Sequence, residues 1–100
     1  MKRFFITFGK SMKPAMTGAT IIWCVKPEHL EEGDIVVYSR KGKLGGLCHR
    51  IIGKDTEGNY LIKGDNAPEI DTVPLSRIAY RVYNYKNLFT KLTVSGSEEK

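Results

Sequence analysis

The sequence predicts a small all-β domain, and three observations carry that prediction. One hundred residues with 41% hydrophobic and 10% aromatic content suit one domain with a modest core. The apolar residues fall in short runs rich in Ile, Val, Tyr and Phe rather than in stretches of helical period. Gly, Asp, Asn and Pro punctuate these runs at close intervals, and only Lys13 to Thr17 has room for a helical turn.

Taken in order, Arg3 to Phe8 is the first expected strand and Ala19 to Lys26 the second. Pro27 to Glu32 is a polar connection, and Gly33-Asp34 opens the apolar strand Ile35 to Ser39. Lys41-Gly42-Lys43 to Gly45-Gly46 is a hairpin-type turn before the strand Leu47 to Lys54. Asp55 to Asn59 turns the chain into the short strand Tyr60 to Lys63. Gly64 to Pro74, with Gly, Asp, Asn and Pro, is expected to be a loop across the sheet surface. In the last expected strand, Arg77 to Tyr85, Ile78, Tyr80 and Val82 alternate against Arg81 and Asn84 to leave one wet face. Residues 1–88 form the expected domain. Residues 89–100 form a polar tail, whose aperiodic end Ser95 to Lys100 is expected to fray.

The formal charge of +5 and a pI near 9.3 raise the question of nucleic acid or an anionic surface. The sixteen Lys and Arg are dispersed among eleven acids without a basic block, so a solvated surface is expected and no nucleic-acid partner. No apolar run approaches the ~18 to 20 residues of a membrane-spanning helix, so the chain is not expected to span a bilayer. Met1 to Ile6 matches the start of a secretory signal, but the apolar part ends at Gly9-Lys10, short of the ~7 to 15 residues required. Cys24 and Cys48 each lie inside an apolar run as small hydrophobes and define no redox compartment.

Chemistry concentrates in three segments: Gly9-Lys10-Ser11-Met12-Lys13-Pro14, Cys48-His49-Arg50-Ile51-Ile52-Gly53, and Lys63-Gly64-Asp65-Asn66 with Asp71. Together they supply a serine, a histidine and an acid. A serine hydroxyl is a poor nucleophile at neutral pH and needs a base within hydrogen-bond reach. With an ordinary pKa of ~6.5, His49 can serve as that base at pH 7. In a strand, Cys48 and Arg50 point away from the face that His49 uses, which argues against a Cys48-His49 pair. No zinc-type cluster and no glycosidase-type carboxylate pair stands out, so no metal or organic cofactor is implied.

In this order and at these spacings, Ser-Met-x-Pro, the His-Arg-Ile-Ile strand and the Lys-Gly-Asp-Asn loop resemble the catalytic domain of type I signal peptidases. The match is to the archaeal and endoplasmic-reticulum subgroup, where histidine replaces the lysine of most bacterial enzymes and of the related LexA-like self-cleaving repressors. It runs from about Phe5 to Tyr83. The resemblance implies a small domain of short, mostly antiparallel strands forming a partly open barrel. It implies that Ser11 is the nucleophile, His49 the base and Asp71 the acid, with Asp65 the competing acid or a loop-pinning residue. It also implies that the Ser11 backbone N–H contributes to the oxyanion hole, and that Met12 and Met16 line the floor where small substrate side chains are accepted.

The chain departs from that family in three places. Gly9 stands where a serine hydroxyl often assists the oxyanion, Ala19 where aspartate is common, and Met1 to Lys10 reads as a first strand where the family usually carries a membrane anchor. The expected localisation is the cytoplasm or the membrane periphery, and one version of the enzyme works with a membrane-anchored partner.

Each residue also has a plainer reading. Ser11 alone would be a turn serine and His49 a half-buried strand residue, while His29 among Glu28, Glu31 and Glu32 is a solvated histidine. Asp34 opens a strand, and Lys63 does not occupy the place of an activating lysine. Gly9-Lys10-Ser11 ends like a phosphate loop, but Phe4 stands where that motif needs glycine, and Pro14 interrupts the helix that must follow. The functional expectation is a serine endopeptidase that processes an extended peptide or protein precursor. The alternative of a different class is a catalytically silent peptide-binding module of the same fold. A self-cleaving repressor is the third reading, and it is disfavoured because His49 stands in place of the lysine base and no helix-turn-helix is expected ahead of Ser11.

Overall fold

The computed structural model describes residues 2–42 and 45–88. Within them lie strands β1 (Lys2–Thr7), β2 (Thr20–Val25), β3 (Ile35–Tyr38), β4 (Leu47–Lys54), β5 (Tyr60–Lys63), β6 (Ile70–Val73) and β7 (Ile78–Asn87). All pairings are antiparallel in one sheet of order β1-β2-β7-β3-β4-β5-β6, whose outer strands do not meet, so the fold is all-β and a partly open barrel. Hairpin neighbours in sequence build the two halves, β1-β2 and β3 to β6. The long β7 returns between β2 and β3 and joins them.

Alternation along β3 and β4 divides the interior into two cores on opposite faces of the sheet. Ile35, Val37 and Cys48 face Met12, Met16, Ile22, Cys24 and Val82. Val36, Tyr38 and Ile51 face the other way, onto Ile62, Val73 and Ile78. In the second core Val36, Tyr38, Ile51, Ile62 and Val73 are at most 1% exposed, and burying such a side chain contributes roughly 1.5 to 3 kcal/mol.

Two expectations are corrected. The segment Gly64 to Pro74 is not all loop, because Ile70–Val73 pairs with β5, Ile62 opposite Asp71 and Tyr60 opposite Val73. The strand is hidden in the sequence because it is four residues long between Pro68 and Pro74, and its inward positions are Asp71 and Val73. Likewise, Ile78, Tyr80 and Val82 do not share a face. Val37 pairs with Tyr80 but Tyr38 pairs with Ile78, so Ala79 is an extra residue that reverses the alternation and sends Ile78 into the second core.

A 3-10 turn, Leu75–Arg77, shortens the start of the last strand, and Lys13 to Thr17 contributes one turn, closed by Met16 N–H on the Met12 carbonyl at 3.0 Å. The expected tail, 89–100, and Lys43 of the expected hairpin turn lie outside the described residues. Among the described residues no helix is long and apolar enough to cross a membrane. The outer strand β1 exposes Phe4, Phe5 and Ile6, and Phe8 beyond it is 77% exposed.

Candidate active site

Ser11 lies on the connection from β1 to β2, half-buried, between side chains that hold the loop in place. Met12 and Met16 are 4% and 3% exposed and anchor the loop in the first core. Gly9 turns the chain at φ +130°, a region that side-chain-bearing residues rarely adopt, and its carbonyl accepts Gly18 N–H at 3.1 Å. From β7, the Asn87 amide donates to the Ala15 carbonyl at 2.9 Å and accepts from Thr17 N–H and the Thr20 hydroxyl at 3.0 and 2.8 Å. Backbone groups left over by an irregular loop are thereby satisfied.

A second loop, Gly64 to Asn66, locks onto the first. Asn66 N–H donates to the Ser11 carbonyl at 2.6 Å, and the Asn66 side-chain amide donates to the Lys10 carbonyl at 3.1 Å. Gly64 is there for contact distance. A Cβ at residue 64 would stand 2.7 Å from the Ser11 carbonyl oxygen and 3.1 Å from the His49 ring. Arg50 holds the same loop by forking onto both Asp65 oxygens at 2.9 Å and donating to the Gly33 carbonyl at 2.9 Å.

His49, on β4, is 5% exposed and points across the sheet into this junction. Its Nε2 lies 2.9 Å from Ser11 Oγ, and its Nδ1 lies 3.1 Å from the Tyr38 hydroxyl. Tyr38 donates its hydroxyl proton to Asp71 Oδ2, which also accepts Arg40 Nε–H at 3.0 Å. Arg40 reaches on to Glu69 at 3.2 Å. The side chains thus run in one line: Ser11, His49, Tyr38, Asp71, Arg40.

Burial above all, then the positive charge of Arg40, holds the His49 pKa below its ordinary 6.5, against the opposing carboxylates Asp71 and Asp65. The imidazole is therefore neutral at pH 7. Burial pushes the Asp71 carboxyl up, but the Tyr38 and Arg40 hydrogen bonds and the Arg40 charge outweigh it and leave the pKa below 3.8, so the carboxylate is ionised. Burial, followed by the Asp71 hydrogen bond, raises the Tyr38 phenol far above its ordinary value, so it keeps its proton. Cys24 and Cys48 are unpaired, and burial raises their thiols to about 11 and about 12, which makes them inert neighbours.

Met12 and Met16 floor a pocket of about 20 Å³ beside Ser11, and Cys48 forms a wall shared with an apolar groove of about 310 Å³ that runs under Phe5 and Ile6. A larger hollow of about 470 Å³ lies elsewhere, among the mixed charges of Lys2, Glu31, Asp34 and Arg81, and includes none of the line's residues. Among the described residues no His, Cys, Asp and Glu cluster has metal-binding geometry.

Of the residues singled out from the sequence, Ser11 and His49 are in direct contact, with Met12 and Met16 beneath them. Asp71 lies on their line but one side chain removed from His49. Asp65 belongs to Arg50, not to His49, and its backbone N–H meets Met12 Sδ at 3.3 Å. Sequence reasoning missed Tyr38, Arg40 and the clamping roles of Gly64, Asn66 and Asn87. For Tyr38 a signal existed, since it alone among the inward residues of β3 carries a hydroxyl.

A serine held against a buried neutral histidine defines a candidate hydrolase site on an open β-sheet. The chain is similar to the signal peptidase complex catalytic subunit sec11 of Neurospora crassa, 37% identical over 73 residues, covering 67% of this chain and 42% of that protein. It thus spans less than half the length of the curated relative it matches. No family model and no solved structure matches the chain.

Proposed function

We propose that this protein is a serine endopeptidase of the signal-peptidase type, with Ser11 as nucleophile, His49 as general base and Asp71 as the acid that balances the histidine charge. The observation that carries this reading is the 2.9 Å contact of Ser11 Oγ with Nε2 of a buried imidazole whose pKa is held below its ordinary value. Ser11 Oγ attacks the scissile carbonyl while Nε2 takes its proton. The same proton passes to the leaving amine, and water then hydrolyses the acyl-enzyme by the reverse path.

The oxyanion would form near the Ser11 backbone N–H, which no backbone carbonyl takes up among the described residues. Gly9 supplies no hydroxyl there, and loss of one such donor costs ~2.7 to 4 kcal/mol of transition-state stabilisation. A modest turnover is expected. The outer edge of β1, unpaired among the described residues, can accept an extended peptide by backbone pairing, with the pocket over Met12 and Met16 receiving a small side chain and the adjoining groove an apolar one. Similarity to the catalytic subunit of a complex supports action on signal-bearing precursors, together with a membrane-anchored partner.

The test is labelling by a serine-directed phosphonate and cleavage of a peptide library, with the native chain beside Ser11→Ala and His49→Ala. Both variants should lose reaction. The native rate should rise with pH through a value below 6.5 and be level by pH 7. Reaction no faster than in Ser11→Ala, with and without membranes carrying candidate partner subunits, would instead mark a peptide-binding module.

A further inference from the structure

We propose that Tyr38 is the positioning residue through which Asp71 acts on His49, its hydroxyl fixing the tautomer that leaves Nε2 free to accept the Ser11 proton. This deepens the peptidase reading above and rests on it. The argument follows from counting protons. A phenol has one proton to donate. Asp71 is an ionised acceptor already turned toward Arg40, and the Tyr38 proton goes to it. The Tyr38 oxygen can then only accept from His49 Nδ1, across 3.1 Å. Nδ1 therefore carries the hydrogen of the neutral ring, and Nε2 presents its lone pair to Ser11 Oγ at 2.9 Å.

The opposite polarity fails on the same count. Were Tyr38 to donate to Nδ1, Asp71 would lose one of its donors within the sheet, and Nε2–H would face Ser11, leaving the serine without a base. The geometry also keeps Asp71 from touching the ring directly. Tyr38 and Asp71 share the inward face of the sheet with His49, and among the described residues the Asp71 carboxylate bonds only Tyr38 and Arg40.

When His49 takes the serine proton, the imidazolium keeps Nδ1–H on the Tyr38 oxygen. The phenol O–H stays directed at Asp71, so no proton leaves Tyr38 and only its dipole is strengthened. The other charged groups acting on the ring are Arg40 beyond β3 and Lys63 of β5, which oppose its protonation, and Asp65 of the clamping loop, which favours it.

Nitrogen-15 chemical shifts of His49, measured against pH in the native chain, Tyr38→Phe and Asp71→Asn, test this directly and do not require activity. The native ring should be the Nδ1–H tautomer. Tyr38→Phe keeps the ring in its core, removes the acceptor, and should shift the population toward Nε2–H while lowering the histidine midpoint. The phosphonate labelling rate should fall about 100-fold, within the range of general-base effects. Asp71→Asn should move the same tautomer, and adding it to Tyr38→Phe should change the rate less than threefold.

If Ser11 is labelled and His49 is needed, but the tautomer and midpoint are unchanged in Tyr38→Phe and Asp71→Asn, the role of Tyr38 is overturned while the peptidase reading stands. If the tautomer depends on Tyr38 but the native chain is not labelled, the hydrogen-bond assignment stands and the peptidase reading falls.

Discussion

His49 and Arg50 are neighbours on β4 that face opposite sides of the sheet, and each is served by an acid in a different manner. Arg50 meets Asp65 directly, as a two-pronged ion pair whose side chains are 31% and 24% exposed. His49 meets Asp71 only through the Tyr38 hydroxyl, on the buried face. A direct pair at the rim holds a loop in place. An indirect line in the core sets the protonation of a ring. Two aspartates six positions apart thus have different partners, and in the proposed mechanism one clamps a loop while the other fixes the tautomer of His49.

Neutralising each acid in turn should separate the two roles most widely. Asp71→Asn is expected to slow Ser11 labelling by about 100-fold, the same order as Tyr38→Phe because it acts through that hydroxyl, and short of the ~10⁴-fold of an acid in direct contact with its histidine. Asp65→Asn should retain most of the rate and lose stability instead. Equal loss of rate in the two variants would end the distinction.

Gly64 lies where the clamping loop meets Ser11 and the His49 ring. Gly64→Ala places a Cβ 2.7 Å from the Ser11 carbonyl oxygen, a backbone atom that cannot swing aside, so the loop must move from Ser11. A misplacement of about 1 Å at a reacting group costs about 100-fold, and under the proposed mechanism the labelling rate should fall by that order.

For the clamp itself, Arg50→Met should cost about 1 kcal/mol of unfolding free energy by denaturant titration, the modest worth of a partly exposed pair with good fork geometry. A loss above about 3 kcal/mol would mean that Arg50 belongs to the core.

The smallest effect is in pH. His49 is held below 6.5 in the folded chain, so between its folded value and 6.5 the unfolded chain binds more protons. Its contribution is full above 6.5 and is lost as pH falls through that window. Asp71, held below 3.8, contributes above that value and is lost at lower pH. Melting temperatures from pH 7 to 5 should therefore fall more in the native chain than in His49→Gln.

Much of this molecule could be read from its residues alone. Short β-branched runs between Gly, Asp and Pro turns dictated an all-β domain, and β4 and β5 have the bounds expected of them. The family resemblance singled out the serine, the histidine and the Gly-Asp-Asn loop, which the fold brings into contact, and Met12 and Met16 are buried beneath them. Strand alternation also placed Cys48 and Arg50 on the face away from His49.

Tertiary structure decided the remainder, for reasons of pairing and distance. The bulge at Ala79 depends on the register of β7 against β3, which no local propensity encodes, and β6 exists because β5 offers it an edge. Which acid serves which base could not be read from a count of residues, since Asp65 and Asp71 both follow the same glycine and only the folded sheet turns one to Arg50 and the other to Tyr38. The hydroxyl between His49 and Asp71 comes from a residue 11 positions before the histidine, inside what reads as an ordinary apolar strand. Sequence determines which side chains are available and which face each takes. Contacts a few ångströms long between distant strands determine which of them share a proton.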